Sequence, residues 1–61
     1  MMTETVKEQV LRVRKTGRTN MFDIRMVVQV ATELCCTELV EFLLTRPNQE
    51  IYVQFILTGK A

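Results

Sequence analysis

Apolar residues recur along this chain with two different periods. Val6, Val10 and Val13 fall on one stripe at helical spacing. Thr5 followed by Glu8 has the form of a capping box, and Gly17 stands where a helix C-terminus closes. A helix is predicted over 4–16. A second is predicted over 22–35, where Ile24, Val27, Val28, Ala31, Leu34 and Cys35 form a continuous apolar stripe opposite Arg25, Gln29 and Glu33. Thr19 or Asn20 can cap it, with Asp23 favourably placed in its first turn. Cys36-Thr37 reads as a turn, with Thr37 capping a third helix over 38–46. That segment is apolar at Leu39, Val40, Phe42, Leu43 and Leu44 and wet only at Glu38, Glu41 and Thr45. An arc this wide implies contact with two bodies, a core and a partner. Pro47-Asn48 reads as its end.

The period then changes. Over 50–58, Ile51, Val53, Phe55 and Leu57 alternate with Tyr52, Gln54, Ile56 and Thr58. β-Branched and aromatic residues dominate and Gly59 follows, so this segment reads as a strand. No second strand is visible. A lone strand leaves unpaired backbone donors and acceptors, which another chain must satisfy. The expected fold class is therefore α+β: three short helices and one C-terminal strand, the strand pairing antiparallel across a homodimer two-fold.

Size sharpens this expectation. The 61 residues suffice for one small domain, 1–61, which buries only about 60% of the surface its unfolded chain exposes. Such domains lean on disulfides, metals or oligomerisation. Cys35 and Cys36 are adjacent and ill placed to bridge, and the chain has no histidine. Oligomerisation remains. An apolar content of 48% with 25% charged residues belongs to a folded chain rather than a disordered one. Free cysteines, a polar N-terminus and short apolar runs suggest a reducing cytoplasm, with no membrane association.

The chemistry available is narrow. Without histidine, serine or tryptophan, histidine-based nucleophilic catalysis is excluded; no enzyme activity and no cofactor is expected. Cys35 reads as a small core residue. Cys36 is the thiol more open to oxidation. Glu38 and Glu41 read as a solvated helix face rather than an acid–base pair.

The net charge of +1 is unevenly spread. Residues 1–25 carry Lys7, Arg12, Arg14, Lys15, Arg18 and Arg25 against Glu4, Glu8 and Asp23, whereas residues 26–61 are mildly acidic. Arg14, Lys15, Arg18, Asn20 and Arg25 form a candidate anion or ligand site beside the start of the second helix, where free N–H groups add to side-chain charge. Ordinary solvated bases at a helix end are the competing reading. Lys15-Thr-Gly-Arg-Thr19 lacks the spacing and preceding strand of a phosphate loop. Helix-turn-helix DNA binding is disfavoured, because Glu38 and Glu41 would face the phosphates. Val40, Leu44, Ile51, Tyr52, Val53, Phe55 and Leu57 are the candidate oligomer or partner interface.

Three blocks carry a resemblance: Thr19-Asn-Met-Phe-Asp23, Glu38-Leu-Val40 and Tyr52-Val-Gln-Phe-Ile-Leu-Thr-Gly59. In them the chain resembles a family of small phage, prophage and Firmicutes proteins with a domain of unknown function. The resemblance covers nearly the whole chain. It departs at Cys35-Cys36-Thr37, where relatives tend to carry a glycine and an aromatic residue. The resemblance implies a small phage-linked accessory protein and brings no catalytic residues with it. Acting by binding, such a protein inhibits a host defence protein through its strand edge or third helix. The alternative is an oligomeric sponge for a nucleotide-type signal, with Arg14, Arg18 and Arg25 on phosphate and Asn20 reading a polar edge.

Overall fold

The computed structural model describes residues 2–59. They form four helices: α1 (Glu4–Thr16), α2 (Ile24–Glu33), α3 (Thr37–Phe42) and α4 (Arg46–Thr58). Among the described residues there is no strand. The expected α+β class is therefore corrected to all-α, and the strand over 50–58, with its antiparallel pairing across a two-fold, does not exist.

The helix over 4–16 has the expected bounds, although its cap lies two residues earlier. Thr3, not Thr5, is the N-cap: its Oγ1 accepts the Val6 N–H at 3.2 Å. Val6, Val10 and Val13 are buried, as their spacing implies. Gly17 closes the helix in the left-handed region, at φ 64. Helix α2 starts later than expected because Asp23 serves as its cap, accepting the Met26 N–H at 3.3 Å.

The link from α2 to α3 reverses the expectation for the two cysteines. Cys35 is exposed and Cys36 is buried. Cys35 N–H reaches the Thr32 carbonyl at 3.1 Å, and Cys36 N–H reaches the Ala31 carbonyl at 2.8 Å. This is a Schellman closure, which needs a left-handed residue at its first position and an apolar contact at its second. Cys35 supplies the first at φ 60, and Cys36 supplies the second.

The third helix ends at Phe42, short of the expected 46. A continuous helix from α3 into α4 needs an N–H from Pro47 to the Leu43 carbonyl, and proline has none. Gln49 Nε2 donates to that carbonyl instead, at 3.0 Å. Thr45 is extended, and Pro47 sits in the first turn of α4, where a missing N–H costs nothing. Gly59 closes α4 at φ 75, with its N–H on the Phe55 carbonyl at 2.7 Å.

Six residues make a marginal helix, and tertiary contacts hold α3. It packs on both α1 and α2. Its N-cap, Cys36, makes no side-chain cap bond. Gln9 of α1 provides one across the core: its Oε1 accepts the Leu39 N–H at 2.8 Å. Leu39 and Leu43 are buried with Val10, Val27, Val30 and Tyr52. Each buried leucine contributes about 1.5–3 kcal/mol.

Candidate functional site

The segment between α1 and α2 is tied down at several points. Thr16 Oγ1 donates to the Val13 carbonyl at 2.6 Å and accepts the Arg18 N–H at 3.2 Å. Asn20 Oδ1 accepts the Phe22 N–H at 2.8 Å, and the Asp23 N–H reaches the Asn20 carbonyl at 2.9 Å. Tyr52, fully buried on α4, donates its hydroxyl to the Met21 carbonyl at 2.6 Å. Burial pushes the Tyr52 pKa up to about 12.

The consequence is a fixed corner. Phe22, 50% exposed, stands beside Leu57, 62% exposed, around a pocket of about 360 Å³. Arg14, Asn20, Met21 and Ile56 complete the wall. No carboxylate lines it, and Arg14 forms no ion pair among the described residues. The side-chain amide of Asn20 retains its N–H donors, since only its oxygen is engaged in the turn.

The proposed anion site is thus partly assembled and partly dispersed. Arg14 and Asn20 come together. Arg18 turns to α2, where its Nη2 meets Glu33 Oε1 at 2.9 Å. Lys15 and Arg25 are exposed and do not line the pocket. The start of α2 already holds the Asp23 carboxylate as its cap.

The candidate interface residues also divide. Tyr52 is wholly inside the protomer, whereas Val40, Ile51, Val53 and Phe55 are half-buried and pack against the core. Leu44 and Leu57 are exposed. A larger open groove of about 980 Å³ runs along α4, lined in part by Ile24, Pro47, Ile51 and Val53, with Arg46 and Glu50 at its edge.

Phe22, Met21 and Ile56 were not singled out from the sequence as site residues. Phe22 carried a usable signal: a large aromatic just outside the apolar stripe of α2, next to the capping Asp23. Among the described residues, no buried side-chain nitrogen or oxygen lacks a partner. No group of three histidine, cysteine, aspartate or glutamate side chains there could hold a metal ion. No helix there is long and apolar enough to cross a membrane.

The family described as a domain of unknown function, DUF5049, matches residues 2–60. The chain belongs to this family. No curated protein and no solved structure matches it. In this DUF5049 protein, the Thr19–Asp23 block that carried the resemblance forms the turn presenting Phe22. The Tyr52–Gly59 block supplies the opposite wall, together with the hydrogen bond that pins the turn.

Proposed function

We propose that this DUF5049 protein acts by binding another protein, as a small phage-type accessory factor that inhibits a host defence protein in the bacterial cytoplasm. One observation carries the reading. Phe22 and Leu57 stay open to solvent on a corner whose backbone is tied down, and Arg14, without an ion pair among the described residues, lines the same pocket. Exposed aromatic and arginine anchors on a preorganised scaffold are what protein interfaces use most effectively. The matching partner surface is apolar at its centre and acidic at its edge. The test compares wild type with Phe22→Ala and Arg14→Glu as baits for bacterial proteins. A host protein held by wild type and lost from both folded variants is expected. Equal retention by all three would overturn the reading.

A second reading rests on the same corner. Its volume suits a small ligand, and Arg14, the Asn20 amide and the Phe22 ring could hold the phosphate, edge and face of a nucleotide. Calorimetry with mononucleotides and cyclic dinucleotides separates the two readings. Heat lost in Arg14→Gln supports the nucleotide sponge, and no heat from wild type dismisses it.

A further inference from the structure

The oxygens of the Phe22 corner are engaged and its donors are not. The Asn20 carbonyl takes the Asp23 N–H, Asn20 Oδ1 takes the Phe22 N–H, and the Met21 carbonyl takes the Tyr52 hydroxyl. The polar wall that remains is the Asn20 amide N–H pair and the Arg14 guanidinium, which has no ion pair among the described residues. Met21, Phe22, Ile56 and Leu57 line the rest. An occupant that satisfies this wall brings oxygen acceptors on one side and an apolar group on the other.

Charge and size narrow the choice. Arg14 is the one cation in the pocket wall: Arg18 is held by Glu33, and Lys15 and Arg25 lie elsewhere. One guanidinium balances one carboxylate, which it can grip through two parallel bonds, whereas a phosphate group of about −2 keeps uncompensated charge. At about 30 Å³ per water in the liquid, a pocket of about 360 Å³ has room for roughly a dozen heavy atoms. That is the size of one leucine or phenylalanine with its carboxylate. A side-chain carboxylate in a continuing chain needs a second residue to supply the apolar group. Its backbone also brings a further N–H to a corner where the Asn20 and Met21 oxygens are already engaged. A chain end brings only oxygens there.

We propose that the corner takes the C-terminal residue of its partner protein, with a large apolar side chain between Phe22 and Leu57 and the terminal carboxylate on Arg14 and the Asn20 amide. This rests on the protein-binding reading above and names the part of the partner that enters.

Amide-shift titrations with short peptides test it. The probe is a hexapeptide of glycine and serine ending in leucine with a free carboxylate. Its comparators are the same peptide amidated at the C-terminus, and an amidated version with glutamate before the leucine. The free acid should shift the Phe22 backbone and Asn20 side-chain amide signals. The plain amide should bind at least about tenfold more weakly, having lost a charged hydrogen bond. Phe22→Ala should weaken binding of the acid. In Arg14→Gln, a change at an exposed position, acid and amide should bind alike. No shift in wild type with the acid at about 5 mM, beyond the millimolar range of a weak contact, would overturn the proposal. So would equal binding of acid and plain amide by wild type, or a glutamate peptide that matches the acid. These failures leave the bait experiment standing: a host protein lost from Phe22→Ala and Arg14→Glu would then reach the corner by some part other than its chain end.

Discussion

Tyr52 and Met21, 31 positions apart, are joined by a 2.6 Å hydrogen bond from the phenol to the backbone carbonyl. This bond is the polar tie between α4 and the α1–α2 turn, and it sets the position of the Phe22 corner. Tyr52→Phe keeps the ring in the core but leaves the Met21 carbonyl without its donor. The expected cost is about 1–2 kcal/mol, lowering Tm by at least about 4 °C in thermal unfolding. Binding at the Phe22 corner should weaken in the folded variant.

The same phenol sets an alkaline limit. In the unfolded chain a tyrosine ionises near pH 10; in the folded protein burial holds Tyr52 protonated to about 12. Between those values folding retains a proton that the unfolded chain has released. Stability is therefore fully present below pH 10 and falls as pH rises from 10 to 12. Denaturant titrations across this window, followed by helical circular dichroism, should show the decline in wild type and a flatter profile in Tyr52→Phe, while absorbance at the tyrosinate band in wild type reports Tyr52 alone.

Gln9 caps a helix to which it does not belong. Gln9→Ala removes the acceptor of the Leu39 N–H and should cost about 1 kcal/mol. Because α3 is short, the effect should be local. Amide exchange at Leu39 should quicken markedly, while exchange at Val10 in the middle of α1 tracks only the global loss.

Cys35 occupies a position that suits glycine. Its backbone is left-handed at φ 60, which costs an L-residue roughly 1–2 kcal/mol. Glycine's extra freedom in the unfolded chain offsets part of the relief. Cys35→Gly should therefore raise stability by about 0.5–1 kcal/mol, seen as a higher denaturant midpoint at an unchanged slope. Cys35→Ala keeps the Cβ and should bring no such gain.

The first half of the chain was legible because its signals agree. In α1 the valine spacing and Gly17 pointed to one helix, and in α2 the apolar stripe did the same. The C-terminal segment misled because Ile51, Val53, Phe55 and Leu57 alternate and favour strands by type. Tyr52 and Ile56 stood on the supposed opposite face and spoiled the alternation, as a helix with a wide apolar arc would. Pro47 at the start and Gly59 just past the end bracket a helix, yet Pro47 was read only as a stop. The missing partner strand was itself a signal, since a helix satisfies its backbone internally. The candidate site was half visible. Arg14 and Asn20 were found from charge and turn chemistry, but the diversion of Arg18 to Glu33 and the inclusion of Ile56 depend on which helices meet, which local spacing does not encode. The cysteine reversal followed from assuming that α2 runs through Cys35.

The proline between α3 and α4 has a consequence for how copies can meet. Small helical proteins often associate by exchange: a short link straightens, two helices fuse, and the outer one docks in a neighbour's core. Here the link is Leu43–Thr45, and fusion would require the one N–H that Pro47 lacks, while Gln49 already holds the Leu43 carbonyl in the bent arrangement. Tyr52 stays in its own protomer. Fusing α3 and α4 would therefore forfeit that bond and set Pro47 inside a helix, at a cost of about 3 kcal/mol, so the bent link favours each chain keeping its own α4.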